Sequence, residues 1–232
     1  MVGIKRLVHV SLEVDFERWA YARENRAKIE KHWKKAHAEN PALHNGNIFM
    51  LTQWTMAEDR LEGVVQPASY ASFLYWREQG YPEAGARNCF GSSVLQSREG
   101  HILFGRMAPN TATAGLVYPV GGSFGEEDVS AGMLQVETNI ARELAEETGL
   151  NAEDGNREAG YICVEEGPRI SLAARFIFDC DSNELRQRIT AHLETCDEPE
   201  LDEVVVFRRR AFARHHRMPD FARMLIDHLL PQ

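Results

Sequence analysis

In the segment Arg142-Glu143-Leu144-Ala145-Glu146-Glu147-Thr148-Gly149-Leu150, three glutamates stand at positions i, i+3 and i+4. On a helix that spacing projects all three carboxylates from one side. Like charges so placed repel by roughly 0.2–0.5 kcal/mol per pair. They also fall in the last turn, where the helix dipole disfavours negative charge. A bound divalent cation reverses both penalties, and hard cations such as Mg²⁺ take oxygen ligands. For a bare ExxEE string a solvated acidic face is the ordinary explanation. Here Arg142, Glu143, Glu146, Glu147 and Gly149 occur together, flanked by Leu144 and Leu150. At about 6% usage per residue type, such a match by chance in a chain of this length is on the order of one in 10⁵. The solvated face is therefore rejected.

The helix that presents these carboxylates is expected over about 134–148, with Gly149 as its C-terminal cap. A strand at 115–120 ends at Gly121-Gly122, and a polar loop at 123–132 leads into the helix. Upstream, β-rich runs at 90–97 and 101–107 flank a Glu99-Gly100 turn. Downstream come strands at 160–165 and 169–178, a helix at 182–194, a strand at 204–208 and a terminal helix at 219–230. The N-terminal part reads as a strand at 7–14, one long helix at 16–39, strands at 47–56 and 60–65, and a short aromatic helix at 70–78. Trp19 and Trp33, 14 residues apart, then share a face of the long helix. Gly80, Pro82 and Gly85 mark a boundary. The expected fold is α/β (α+β): a mixed β-sheet sandwiched between helices over 88–232, with an α/β extension over 1–87 packed on it.

Composition narrows the classes of function. Hydrophobic residues make up 44% of the 232, enough for a substantial core. Apolar runs are far shorter than the roughly 20 residues of a membrane span, and charge interrupts the N-terminus too often for a signal peptide. A soluble, cytoplasmic protein is expected. Thirty-five acidic against 26 basic residues give a net charge of −9, the wrong balance for a general nucleic-acid binder. An acidic protein can still handle an anionic substrate when a divalent cation lies between the two. Cys89, Cys163, Cys180 and Cys196 show no CxxC or zinc-ligand spacing and are expected to be reduced thiols. The local basic cluster Arg208-Arg209-Arg210 with Arg214, His215, His216 and Arg217 is read as a charged connector before the last helix.

The 142–150 segment resembles the C-terminal half of the Nudix box, R-E-U-x-E-E-x-G-U with U a bulky aliphatic residue, and Pro119-Val120-Gly121-Gly122 resembles the strand end that precedes the box helix. The likeness extends over about 88–232. It departs from the pattern at the front of the box: the first Glu of G-x5-E-x7-R-E falls on Leu134 and its Gly on Asp128. The 123–132 loop is about six residues longer than in compact members and carries Glu126, Glu127 and Asp128, any of which can stand in for that Glu. The resemblance implies a hydrolase that uses Mg²⁺ or Mn²⁺ to cleave the diphosphate linkage of a nucleoside diphosphate joined to another group.

Carried over position by position, Glu146 and Glu147 would be metal ligands. Glu143 would bind a second metal or help activate water, and the Gly121 carbonyl would complete the shell. Arg142 would orient a glutamate, and Arg106 and Gly122 would contact the substrate. A further carboxylate is sought in 197–203, with Glu200 and Glu203 favoured and Glu203 taken as catalytic. The implied partner is a small nucleotide, with neither membrane nor nucleic acid. The N-terminal extension would shape the pocket or a homodimer contact. The rival class is a catalytically silent Nudix-fold sensor or interaction module.

Overall fold

The computed structural model describes residues 2–232. Two mixed sheets and six helices form it. The larger sheet runs, in spatial order, through β1 (Val2–Leu7), β11 (Tyr161–Glu166), β12 (Arg169–Phe178), β5 (Asn88–Gln96), β6 (Ile102–Met107) and β13 (Leu201–Phe207). The short β7 (Val117–Tyr118) and β10 (Gly155–Arg157) add to β6 and β12. Its strands pair antiparallel except β12 with β5. The smaller sheet orders β3 (Asn47–Ala57), β4 (Arg60–Ser69), β2 (His9–Val14), β9 (Met133–Leu134) and β8 (Val129–Ser130).

Alternation along the central strands divides the core into two layers. Ile170, Leu172 and Ala174 of β12 and Leu103 of β6 face one side, where α4 (Val136–Thr148) and α5 (Ser182–Leu193) supply Ile140, Leu144, Leu185 and Ile189. Ala173, Ile102 and Phe104 face the other, where α6 (Asp220–Leu229) supplies Phe221, Leu225 and Ile226. The sheet lies between helices, as the sequence predicts. A third cluster joins α1 (Ala20–Glu24) and α3 (Tyr70–Glu78) to β3 and β4 through Trp19, Ala22, Met50, Phe73 and Trp76, and α2 (Arg26–Glu39) meets α3 where Trp33 stands edge-on to Tyr70 at 6.4 Å. Among the described residues no helix is long and apolar enough to cross a membrane.

Three elements differ from expectation. The strand expected at 7–14 splits at Val8, which is exposed; Leu7 stays in the larger sheet and Leu12 in the smaller. The long helix breaks at Asn25, whose side-chain amide donates to the Tyr21 carbonyl at 3.0 Å, a local bond of the kind that competes with helical pairing. Trp19 therefore precedes α1, buried edge-on against Trp76 (5.5 Å), while Trp33 stacks on His37 along α2; they share no helix face. The strand expected over 115–120 is only Val117–Tyr118. Both sheets also cross the expected 87/88 boundary: β1 lies beside β11, and β9, from the long loop, pairs with β2.

Gly149 ends α4 in the left-handed region (φ 68°), its N–H donating to the Ala145 carbonyl. A side chain here would meet the His192 ring at 2.7 Å. We expect Gly149→Ala to lower stability by about 1–2 kcal/mol from backbone conformation alone, with the clash adding to it; urea denaturation measures the change.

Candidate metal and diphosphate site

The register of α4 decides how its carboxylates are used. Val136, Ile140 and Leu144 repeat every four residues and bury one stripe. At 100° per residue Glu147 falls within that stripe, Glu143 at its edge and Glu146 outside it. Burial follows: Glu147 is 8% exposed, and the side chains of Glu143 and Glu146 are 15% and 58% exposed. The helix thus feeds one carboxylate into the protein, one into its margin and one to solvent.

The Gly121-Gly122 turn lies directly over the two inner carboxylates. The Gly121 N–H donates to Glu147 Oε2 at 3.2 Å. A Cβ on Gly122 would stand 2.5 Å from the Glu143 carboxyl, so a larger residue here would push that side chain aside. Burial raises the Glu147 carboxyl well above its ordinary range, reinforced by the charges of Glu143 and Glu200. Burial likewise pushes Glu143 up to about 7; Arg142 opposes the shift, while Glu146 and Glu200 add to it.

Arg142 holds the outer part of the cluster. One guanidinium nitrogen bridges Glu143 and Glu146, each at 2.9 Å, and the other reaches Asp128 at 3.2 Å and Glu127 at 3.5 Å. Asp128 is fully buried and also accepts from the Gly125 N–H (2.8 Å) and the Asn139 amide (2.9 Å). Of the three acids in the long loop, Asp128 is therefore the one built into the helix, while Glu126 bonds Asn47 away from it.

Glu200 approaches from the segment before β13, its carbonyl accepting from the Ala108 N–H at 2.8 Å. Its side chain keeps contact with solvent at the rim of a recess. Crowding there raises its carboxyl, and the Glu146 charge adds to the effect. Glu200, Gly121 and Gly122 line a cleft of about 530 Å³. Tyr118, three residues before Gly121, also lines it; its hydroxyl is hydrogen-bonded to Thr113 at 2.8 Å, and burial pushes it up, with the charges of Glu147 and Glu200 contributing. The sequence carried a signal for Tyr118, its place at the strand end before Gly-Gly, which went unused.

Arg106 and Glu203 are placed elsewhere. They pair with each other across β6 and β13, Asp202 also accepting from Arg106 at 2.7 Å; like Glu143 and Glu147, they are not among the residues that line the cleft. A one-residue change along a strand reverses the side-chain direction, and the register shift between Leu201 and Glu203 adds a bulge. Acids two or three positions apart in 197–203 therefore have different surroundings. The basic cluster lies around the 3-10 turn Arg210–His215, with Arg210 donating to the Leu230 carbonyl. The four cysteines are free.

Among the described residues no three acidic, histidine or cysteine side chains converge tightly enough to enclose an ion. Arg142 separates Glu146 from the inner pair. The donor chemistry nevertheless suits a hard divalent cation. Glu143, Glu147 and Glu200 offer only oxygen, and each raises or suffers the repulsion of the others. Such a cation would remove the repulsion that lifts these carboxyls.

The fold is similar to several solved structures. The MutT protein from Methanosarcina mazei Go1 is 18% identical with a TM-score of 0.41, over 62% of this chain and 92% of that one. The NUDIX domain of Shewanella oneidensis NrtR, solved with ADP ribose, is 14% identical with a TM-score of 0.42, over 69% and 96%. The Nudix hydrolase RenU from M. smegmatis is 15% identical with a TM-score of 0.39, over 62% and 83%. No protein-family model matches the sequence, and no curated protein matches it.

Proposed function

We propose that the chain is a divergent Nudix hydrolase that uses Mg²⁺ or Mn²⁺ to cleave the diphosphate linkage of a nucleoside diphosphate joined to another group. The observation that carries this is the packing of the Glu143 and Glu147 carboxyls under the Gly121-Gly122 turn, with Glu200 lining the same cleft as that turn. Burying such a set without a cation is costly. A structural role would be served better by apolar side chains of similar size.

Glu147, Glu143 and Glu200 would hold the cation, with Glu146 joining when Arg142 releases it. When bound, the metal would neutralise phosphate charge and make water a stronger nucleophile. The chain itself positions and moves protons. Glu143, at the margin of the buried stripe beside the Gly122 backbone, can take the proton of the attacking water. Arg142, anchored by the buried Asp128, sets the direction of Glu143. The main-chain turn at Gly121-Gly122 lets a phosphate come close without a side chain in its way. The substrate is a small cytoplasmic nucleotide, and neither membrane nor nucleic acid is needed. Incubating the protein with a sugar nucleotide, a dinucleoside polyphosphate and ADP-ribose, with Mg²⁺, Mn²⁺ or chelator, tests this by product mass; turnover that survives chelation contradicts it.

The raised carboxyls also predict how the metal-free protein responds to pH. A carboxyl raised on folding adds stability that is fully present below its unfolded pKa and is lost as pH rises through its folded pKa. For Glu143 that window runs from its ordinary value of 4.5 to about 7. In chelator the melting temperature should fall as pH goes from 5 to 8. Saturating Mg²⁺ should raise it more at pH 8 than at pH 5, since protons compete with the cation for the same oxygens. Thermal melts at both pH values check this; a flat response in chelator is the contrary result.

A further inference from the structure

Beyond the Gly121-Gly122 end, the cleft runs into a chamber walled by both parts of the chain. Helix α3 and the turn after it contribute Arg77 and Tyr81; the larger sheet contributes Asn88, Phe90 and Arg169, and α6 contributes Phe221. Phe90 and Phe221 pack edge to face at 5.2 Å. Tyr81 stands edge-on to Trp76 at 4.9 Å and is held in the left-handed region (φ 57°) by its N–H bond to the Trp76 carbonyl at 3.0 Å. For a tyrosine this conformation costs of order 1–3 kcal/mol and persists only where surroundings impose it.

The polar groups of the chamber are biased towards donors. Arg77 lies 5.8 Å over the Phe73 ring, engaging an aromatic face. Arg169 pairs with Glu166 at 2.6 Å through one terminal nitrogen, while its Nε finds no partner. Asn88 is 5% exposed, and its side-chain nitrogen makes no hydrogen bond. Arginine has donors and no acceptor, and a buried unpaired donor costs about 1–3 kcal/mol until something accepts from it. A flat, acceptor-bearing ring answers both the aromatic walls and the donors. A second phosphate suits them less well, since Glu166 already balances Arg169 and the rings of Phe90, Tyr81 and Phe221 share the wall.

We propose that this chamber seats the nucleobase of the substrate, and that Arg77 and Arg169, with Asn88, select bases presenting a carbonyl on the ring edge over bases presenting an amino group there. The proposal rests on the hydrolase reading and adds to it which nucleotides are taken. The N-terminal part of the chain is then a specificity element. Guanidinium donors match the adjacent oxygen and nitrogen acceptors of a keto purine; an amino group in that place would set donor against donor.

IDP and ADP differ at this edge by a carbonyl against an amino group, and UDP and CDP by the same exchange. Calorimetry on the full chain with Mg²⁺ should show IDP binding tighter than ADP, and UDP tighter than CDP, by ~10-fold or more. Arg77→Gln should collapse both ratios towards one while the protein keeps its melting temperature. Tyr81→Ala should weaken all four nucleotides together. Equal binding of each pair by the wild type, or ratios that survive Arg77→Gln, would overturn the proposal. Turnover of nucleoside-diphosphate compounds, measured separately, keeps the two readings apart. A base preference without turnover supports the chamber and removes the hydrolase; chelator-sensitive turnover without base preference does the reverse.

Discussion

Glu147→Gln should cut metal-dependent turnover by at least about 100-fold, since even residues that merely support metal ligands are worth about 10–100-fold. The same substitution should raise the melting temperature of the metal-free protein. Glu147 is buried, its carboxyl is raised by that burial and by the neighbouring acids Glu143, Glu200 and Glu146, and its one backbone bond, from the Gly121 N–H, can be kept by the glutamine oxygen. A neutral isostere relieves the repulsion and keeps the shape. A gain in stability with a loss of turnover separates a functional carboxylate from a structural one, because removing a structural carboxylate lowers stability. Melting curves in chelator and initial rates in Mg²⁺, on one preparation, give both numbers. A fall in melting temperature would assign Glu147 to the framework.

The opposite pattern is expected at Asp128. This carboxylate is fully buried and binds the Arg142 guanidinium, the Gly125 N–H and the Asn139 amide. Asp128→Ala leaves two donors unsatisfied and a guanidinium short of its innermost counter-charge. Leaving buried donors without an acceptor costs about 1–3 kcal/mol each, and Arg142 keeps its partners Glu127, Glu143 and Glu146. Turnover should fall too, since Arg142 loses its buried anchor and is held only by the acids it is meant to orient. Asp128→Asn keeps the shape and part of the hydrogen bonding, so it should recover much of the stability and less of the activity. Urea denaturation of both variants checks the order. If Asp128→Ala is as stable as the wild type, the long loop does not anchor the helix.

Most of what positions the site was legible because it is local. The i, i+3, i+4 spacing of Glu143, Glu146 and Glu147, the Gly149 cap and the Gly121-Gly122 turn all lie within 29 consecutive residues, and helix geometry alone carries them into place. The helical register even implies which glutamate is buried. What could not be read depends on contacts distant in sequence. Asp128 was one of three equivalent acids until the 3-10 turn Glu126–Asp128 aimed it at Arg142. The acids of 197–203 looked interchangeable until strand register and a bulge gave Glu203 to Arg106 and left Glu200 at the cleft.

The N-terminal part was the least legible. The split of 7–14 at Val8 sends two halves of one alternating run into different sheets, and no local pattern distinguishes the two pairings. The break at Asn25 does have a local cause, a side-chain amide bonding back to Tyr21, but asparagine is tolerated in many helices and the periodicity ran through it. Arg77, Tyr81 and Asn88 line one cleft, although Arg77 lies on α3, which packs on α2 and β4, and Asn88 opens β5 of the larger sheet. Their residue types are common on any surface, and only their shared chamber makes them a set.

The most direct test is hydrolysis in water enriched in oxygen-18, with a nucleoside-diphosphate sugar as substrate and products read by mass. With Mg²⁺ or Mn²⁺ the wild type should yield a nucleoside monophosphate and a sugar phosphate, one of them carrying a single heavy oxygen, and chelator or Glu147→Gln should stop both. Products that form equally in chelator, or an intact substrate that binds for hours beside the metal with no label in any phosphate, would contradict a metal-assisted attack of water on the diphosphate.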